Sequence, residues 1–402
     1  MLRRLVGACL AVLSLAPHVQ AAGREEWIDR DTGRRVVRLS RREGDNWGFY
    51  FHQNPFTAEG DKMVFLGSTQ TGRDAFTVAL RTFEVRQITF GKNVQFEVVD
   101  GKRRTLFYLS GDTVYATHLD SLETREVAKV PRHYVYGRGF SVNADGTLLL
   151  GCYALGEEDF YAKMSRDRWI EKIFEAKLPT ALYTIDLATG RISEFHRERE
   201  WLGHAQFSPT DSHQVEFCRE GPGRRVRRRM WLIGTAGSGL RDLYPPTVPN
   251  TLVTHEFWSP DGKGLWFDLQ VPRLLPRLRW VGALVFPHTY MAHVDIDTGE
   301  ASLYPLSRSQ YSWHYNVSAD GRMLCGDGHA GIELARSAKW IFLYRPEEKA
   351  VRVERLCSMA GHSYSIAPNA RFTPDGKWVV FQSDMSGSPQ VYAVEVSSRL
   401  KS

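Results

Sequence analysis

Apolar and polar positions alternate along this chain in short strand-like runs, and one phrase recurs at the head of those runs. An aromatic or aliphatic residue is followed by a Ser/Thr/Asn-rich step, then Asp-Gly, Glu-Gly or a near variant, then a short apolar strand. The copies read FTAEGDKMVFL from Phe56, EVVDGKRRTLFYL from Glu97, FSVNADGTLLLG from Phe140, FSPTDSHQVEFC from Phe207, FWSPDGKGLWFD from Phe257, NVSADGRMLCGD from Asn316 and FTPDGKWVVFQS from Phe372. An Asp-Gly step between apolar runs signals a β-hairpin, because Gly takes positive φ without a steric cost. The copies begin roughly 40 to 65 residues apart, the spacing of propeller blades.

Each hairpin is followed by a third strand, a turn such as Asp-x-x-Thr-Gly, and an outer strand. YTIDLATGRISEF from Tyr183, AHVDIDTGEASLY from Ala292 and FLYRPEEKAVRVE from Phe342 show this half. The last copy, VYAVEVSS from Val391, lacks its outer strand, whereas DRDTGRRVVRLS from Asp29 is an outer strand with no blade before it. The pattern predicts an all-β, seven-bladed β-propeller closed by the N-terminal strand completing the last blade. Closure removes the exposed edges of an open array.

Composition adds detail to this picture. The chain has 402 residues, 43% hydrophobic and 12% aromatic, with net charge +6. No Pro-, Ser- or Gly-rich linker interrupts the repeats, so residues 22–402 are expected to form a single propeller domain. Part of the positive charge is local: Arg224, Arg225, Arg227, Arg228 and Arg229 crowd one segment. Such a cluster attracts polyanions, although a solvated loop is the simpler expectation for most of these arginines, and no nucleic-acid partner is expected.

Residues 1–21 carry the parts of a secretory signal. Arg3 and Arg4 precede the apolar run Leu5 to Leu15, and Val19-Gln20-Ala21 offers a small-x-small cleavage site. The mature chain is expected to begin near Ala22 and to be periplasmic or secreted. No later stretch is long and apolar enough to insert in a membrane; Leu274 to Phe286, broken by Pro276, Arg277 and Arg279, is expected to be an inserted loop. Cys152, Cys218, Cys325 and Cys357 are too widely spaced for a disulfide framework or a metal knuckle, and buried thiols are expected.

The chemistry of a propeller gathers at one face, over the central channel. His52, His204, His255 and His314 each fall just upstream of a hairpin turn, a position that a radial repeat brings toward one axis. Neutral imidazole serves as metal ligand or general base, so a metal site, a base, or both are indicated. Gln53 beside His52 is a further polar candidate. Trp47, Tyr50, Trp258, Trp313 and Tyr315 are aromatic candidates for stacking on a sugar, with core packing the alternative for each.

The segment from His204 to Asp268 also resembles the oligogalacturonate lyases, propeller enzymes that cleave uronate chains by β-elimination. The matching phrases are His204-Ala205-Gln206-Phe207-Ser208-Pro209-Thr210-Asp211, Phe217-Cys218-Arg219-Glu220-Gly221-Pro222, Arg229-Met230-Trp231 and His255-Glu256-Phe257-Trp258-Ser259-Pro260-Asp261-Gly262. The resemblance implies an acidic oligosaccharide substrate, with His255 as the base at C5 and Arg229 as the contact to the uronate carboxylate. His52, Gln53, His204, Trp313 and Tyr315 are the substrate-binding candidates beside them. His314 matches a metal ligand of the family, which implies a divalent ion such as Mn²⁺ acting as Lewis acid.

Two departures bear on that ion. The family's Gln and two His ahead of the last hairpin are replaced by Ser365-Ile366-Ala367-Pro368-Asn369-Ala370-Arg371-Phe372, and the family's His after Phe-Cys is Arg219. Arg219 or Arg371 is therefore the alternative source of positive charge, with Tyr311, Tyr315 or Tyr364 as the acid, an arrangement resembling ulvan lyases. A different metal set, His314 with His362 and Cys357, suits Zn²⁺. A non-catalytic periplasmic propeller, similar to TolB-type proteins, shares the hairpins but has no use for His255, Arg229 and His314. A serine-peptidase propeller is disfavoured, because no Gly-x-Ser-x-Gly elbow follows the last blade.

Overall fold

The computed structural model describes residues 25–161, 165–273, 287–330, 338–348 and 350–397. The leader at 1–21 and the segment 274–286 lie outside them. Seven antiparallel sheets follow one another along the chain, six of four strands and one of five. Blades 1 to 6 span residues 46–87, 95–129, 138–198, 202–242, 252–306 and 315–358. The first strands of neighbouring blades touch one another, so these strands line the axis and the fourth strands lie outside.

The repeated phrases form the turns expected of them. Ser259 Oγ donates to Asp261 at 2.6 Å and accepts the Gly264 N–H at 3.0 Å, locking the hairpin of blade 5. Ser318 and Thr373 repeat the arrangement with Asp320 and Asp375. Gly262, with φ of 69°, occupies the left-handed position that the turn demands. Blade 4 makes its hairpin without a glycine, through Pro209-Thr210-Asp211. The Asp-x-x-Thr-Gly turns share a second lock, in which the carboxylate accepts backbone N–H groups and the Thr hydroxyl, seen at Asp186, Asp295 and Asp29.

The N-terminus closes the ring. Arg35–Arg38 pairs antiparallel with Gln390–Glu395 in blade 7, with Val36 opposite Val394 and Val37 opposite Ala393. Glu26–Ile28 then adds a fifth strand outside it, beyond the single strand that the pattern predicts. Val36 packs with Leu343, Leu356 and Phe372 toward blade 6, and Val37 packs with Met63, Phe65 and Phe76 toward blade 1. Both valines are fully buried. Thr32 Oγ1 and Asp29 Oδ2 also bond the backbone of Leu356 and Ser358 in blade 6.

Blade 3 departs from the repeat. Between its second strand, Leu148–Ala154, and its third, Thr180–Asp186, the chain forms two helices, Glu158–Tyr161 and Arg166–Ala176. The second ends at Lys177 in the left-handed conformation. Cys152, Cys218, Cys325 and Cys357 are all buried, as the sequence indicated. No helix among the described residues is long and apolar enough to cross a membrane.

A chain beginning at residue 40 keeps blades 1 to 6 and three strands of blade 7 but bares the Gln390–Glu395 edge. It is expected to elute as soluble aggregate in size-exclusion chromatography and to lose its cooperative thermal transition. A monomer with an unchanged melt would show that the N-terminal strands do not hold the ring.

Candidate active site

Bulges on the inner strands set the geometry of the site. In blade 4 the pairing register shifts between Gly203 and Gln206, and in blade 5 between Thr254 and Phe257. His204 and His255 sit inside these shifts with φ of 50° and 55°. Left-handed backbone is costly for a residue with a Cβ and persists where surrounding structure enforces it. Phe96 in blade 2 occupies the same kind of bulge, with φ of 57°. The bulge breaks strand alternation and re-aims the side chain.

The re-aimed side chains line a cavity of about 930 Å³ at one mouth of the channel. His52, Gln53, His204, Arg229, His255, Tyr311 and Trp313 all line it, together with Tyr50, Glu220, Asp268 and Gln270. His314 lies beside this group, 5% exposed, its ring centre 4.5 Å from that of His255.

Two Asp–His pairs anchor the histidines. His255 Nδ1 lies 2.8 Å from Asp268 Oδ1, and His314 Nδ1 lies 2.7 Å from Asp327 Oδ2. Each aspartate stands 13 residues after its histidine, Asp268 within the second strand of blade 5 and Asp327 just past that of blade 6. That shared spacing was present in the sequence and is the signal by which Asp268 and Asp327 could have been found. Asp268 is saturated: it also accepts Thr254 Oγ1 at 2.5 Å and the Tyr311 hydroxyl, and Gln270 donates to Tyr311 at 3.0 Å. With Nδ1–H held by a carboxylate, the lone pair of His255 is on Nε2. Burial draws the His255 pKa below its ordinary value, with Asp268 opposing the shift and His314 adding to it.

On the other side lies a buried charge cluster. Arg229, 6% exposed, donates through Nε to Glu256 at 3.0 Å and through Nη1 to Glu220 at 3.2 Å. Its Nη2 has no protein partner among the described residues. Glu220 also meets His204 Nε2 at 2.8 Å, and His204 Nδ1 lies 3.4 Å from His52 Nε2. Burial, then His204, pushes the His52 pKa well down. Glu216 accepts Gln206 Nε2 at 3.1 Å, and its carboxyl is pushed well above the usual range by burial and by Glu256. Glu216 carries no sequence signal of its own, and Glu220 and Glu256, although they stand in the matched phrases, have no role to read until Arg229 is placed among them.

Several candidates fall elsewhere. Arg219 does not enter the cavity: its guanidinium clasps Glu198 at 2.9 and 2.6 Å and lies 3.8 Å over the Trp231 ring. Strand alternation turns it away from the face that Cys218 occupies. Tyr315 is wholly buried, its hydroxyl accepting the Ser312 N–H at 2.9 Å. His362 has both ring nitrogens engaged, Nδ1 with Asp384 at 2.7 Å and Nε2 with the Ile366 carbonyl at 3.1 Å, so it has no lone pair for a metal. Arg371 is buried, bonded to the carbonyls of Phe49 and Gln53, and Cys357 is sealed in the core between blades 6 and 7. Tyr364 bonds the Asp327 carbonyl at 3.1 Å, and Trp258 packs in the core of blade 5.

Metal ligation is limited by the same placements. Among the described residues one group brings three ligand atoms within 4.8 Å of one another: His204, Cys218 and Glu220. Glu220 is already shared between His204 and Arg229, burial pushes the Cys218 thiol well up, and the Arg229 guanidinium adjoins both. Beside His314, Asn369 offers a buried Oδ1 with no partner, and its backbone N–H bonds the same Asp327. One imidazole and one amide oxygen are too few for a divalent shell. These residues do not fit the metal that the resemblance implies.

Because Glu256 is fully buried against Arg229, Glu256→Ala strands the guanidinium. It is expected to lower the unfolding free energy by about 3 kcal/mol in urea titration; a loss below about 1 kcal/mol would mean that the cluster reorganises around Glu220.

Comparisons with known proteins agree with the fold. A family model described as oligogalacturonate lyase matches residues 22–271. The oligogalacturonate lyase of Dickeya dadantii is 27% identical over 384 residues, covering 92% of this chain and 95% of that protein. The oligogalacturonide lyase of Pectobacterium atrosepticum is 26% identical over 393 residues, with the same coverage. A solved oligogalacturonate lyase from Vibrio parahaemolyticus superposes with a TM-score of 0.81 at 24% identity, over 94% of this chain and 97% of its own. An oligogalacturonate lyase in complex with manganese superposes with a TM-score of 0.79 at 25% identity, over 92% and 96%. A match of this length, on a seven-bladed propeller whose strands carry the family's histidine and arginine phrases, places the chain in a family: it belongs to the oligogalacturonate lyases.

Proposed function

We propose that this lyase cleaves short 4-linked uronate oligosaccharides by β-elimination, with His255 as base and Arg229 as the carboxylate partner. The observation that carries it is the His255–Asp268 pair lining the same cavity as Arg229. A C5 proton is weakly acidic until the adjacent carboxylate charge is neutralised. Arg229 Nη2 supplies that charge as a guanidinium pre-set by Glu220 and Glu256. His255 Nε2 takes the C5 proton, the C4–O bond breaks with the leaving sugar's oxygen taking a proton from solvent water, and unsaturation forms between C4 and C5. Asp268 holds the imidazole in the tautomer that leaves Nε2 basic and stabilises the imidazolium that forms. Tyr50, whose ring centre lies 5.3 Å from that of His204 and 5.5 Å from that of His314, is a wall for the sugar.

The manganese-complexed relative supports a divalent ion as a possibility for this family; with His314 and Asn369 as the donors beside Asp327, the elimination is assigned to His255 and Arg229 without one. The leader at 1–21 supports export to the compartment where such oligosaccharides are met.

The test is the near-ultraviolet absorbance of unsaturated product during action on galacturonate, ulvan-type and related uronate oligosaccharides. His255→Ala is expected to lose roughly 100-fold or more in kcat, and EDTA treatment to leave the rate unchanged. A flat trace from the intact protein on every uronate would sink the assignment, and loss of rate in EDTA that added Mn²⁺ restores would put the ion back into the mechanism.

The pH dependence follows from the sign of the His255 shift. A base with a lowered pKa is neutral at pH 6.5 and remains so somewhat below it, so the acid limb of kcat/KM is expected below pH 6.5. Asp268→Asn removes the charge that opposes the shift. It should move that limb to still lower pH while cutting kcat roughly 100-fold or more, because the tautomer is no longer fixed. An acid limb above pH 7 in the intact enzyme would exclude His255 as the titrating base.

A further inference from the structure

The helical insertion of blade 3 reaches the cavity, and the proposed elimination does not use it. Trp169 and Ile170, on the helix Arg166–Ala176, line the cavity beside Trp201, Arg224 and Leu252. Ile173 is buried from the same helix, and with Ala154, Trp201, Phe160 and Leu178 it forms a small separate core. Trp169 stands edge-on to Trp201, ring centres 5.9 Å apart, and is only partly buried. The Trp201 Nε1–H donates to Glu157 at 3.0 Å, which fixes the ring against which Trp169 rests.

The arginine-rich loop of blade 4 is fitted to this helix. A Cβ at Gly221, where φ is 150°, would sit 2.4 Å from the Phe174 ring, and one at Gly223 would sit 2.2 Å from Leu252. Arg225 is tied to the helix through Glu171 at 2.6 Å and Glu175 at 3.3 Å. Arg228 faces Asp242 at 3.5 Å. Arg224 is the arginine of residues 224–228 that lines the cavity. It is exposed, and its one bond among the described residues is Nη1 to the Asn250 carbonyl at 3.0 Å.

Distance separates this wall from the reacting group. Trp201 precedes His204 by three residues on the inner strand of blade 4, and Leu252 precedes His255 by three on that of blade 5. At the rise of a β-strand this puts the backbone of Trp201 and Leu252, which line the cavity with Trp169 and Arg224, roughly 10 Å along the chain from that of the histidines. A sugar held at His255 and Arg229 therefore leaves this wall to another ring of the same chain.

We propose that Trp169 and Arg224 form a distal subsite for a uronate ring beyond the two that flank the scissile bond, Trp169 lying against its apolar face and Arg224 meeting its carboxylate. The subsite rests on the uronate lyase assignment and adds to it a preference for substrate length. An aromatic face held rigid by a second tryptophan supplies contact area at low entropic cost, and a guanidinium fork suits a carboxylate. A neutral glycan would gain from Trp169 alone, so the pair specifies an acidic chain of more than two uronates.

The experiment compares kcat/KM on di-, tri- and tetra-galacturonate for the intact enzyme, Trp169→Ala, Trp169→Tyr, Arg224→Ala and Arg224→Lys. Binding of the tetramer to a His255→Ala background is measured in parallel by calorimetry. The ratio of kcat/KM for tetramer over dimer is expected to fall about tenfold in each alanine variant, through KM. Trp169→Tyr and Arg224→Lys should recover most of it, and each alanine change should weaken tetramer binding by a similar factor. An equal loss at every length, or no change in the ratio, would overturn the subsite and leave the lyase assignment standing. Tetramer binding that depends on Trp169 and Arg224 without any product from the intact enzyme would uphold the subsite and refute the assignment. Failure of the intact enzyme's sites to bind or cleave any galacturonate oligomer would overturn both.

Discussion

Two adjacent valines hold the ring. Val36 and Val37 face opposite sides of the Arg35–Arg38 strand, one joining the core between blades 6 and 7, the other the core between blades 7 and 1. A propeller stabilises itself through contacts between neighbouring blades, so a gap at one place removes partners from both flanking blades. Pairing the first strand with the last also makes the contact distant in sequence, which commits the two ends of the chain to one structure. The inner strands can converge on an axis only because that circle is complete.

Convergence is what makes the site. The inner strands of blades 4 and 5 each present one histidine at a bulge, and His204 and His255 hold left-handed backbone there. Such strain is sustainable where the flanking strands are locked by Ser-Asp turns and inter-blade cores on both sides. The result is a set of imidazoles within ring contact of one another, with burial drawing the pKa of His52 and His255 down. An imidazole kept neutral is a base ready to accept a proton.

The charges in this site are arranged by mutual need. Arg229 is buried among glutamates, and its two bonded nitrogens fix the direction of the third. Leaving any member unpartnered would cost more than the pairing gains, so the cluster is rigid without being strongly stabilising. Arg371 plays a different part: buried under the channel wall, it holds the Phe49 and Gln53 carbonyls and thereby the segment that carries Tyr50 and His52.

Local chemistry that repeats was readable in the sequence. The Asp-Gly hairpins, the Asp-x-x-Thr-Gly turns and the stray N-terminal strand gave the blade count and the closure, because turn residues act within a few positions of themselves. The histidines at one repeat position were visible for the same reason, as were the arginine and histidine phrases of the family. The partners of those residues were decided by tertiary structure. Asp268 and Asp327 reach their histidines across a strand pair, and Glu220 and Glu256 reach Arg229 from two blades. Arg219 and His362 look like functional residues in sequence. The fold turns one onto Glu198 and spends both nitrogens of the other on Asp384 and a carbonyl. The sequence determines which groups are present and at which step of the repeat. Which of their atoms face the cavity depends on strand alternation, bulges and the neighbouring blade, and these exist only once the ring has closed.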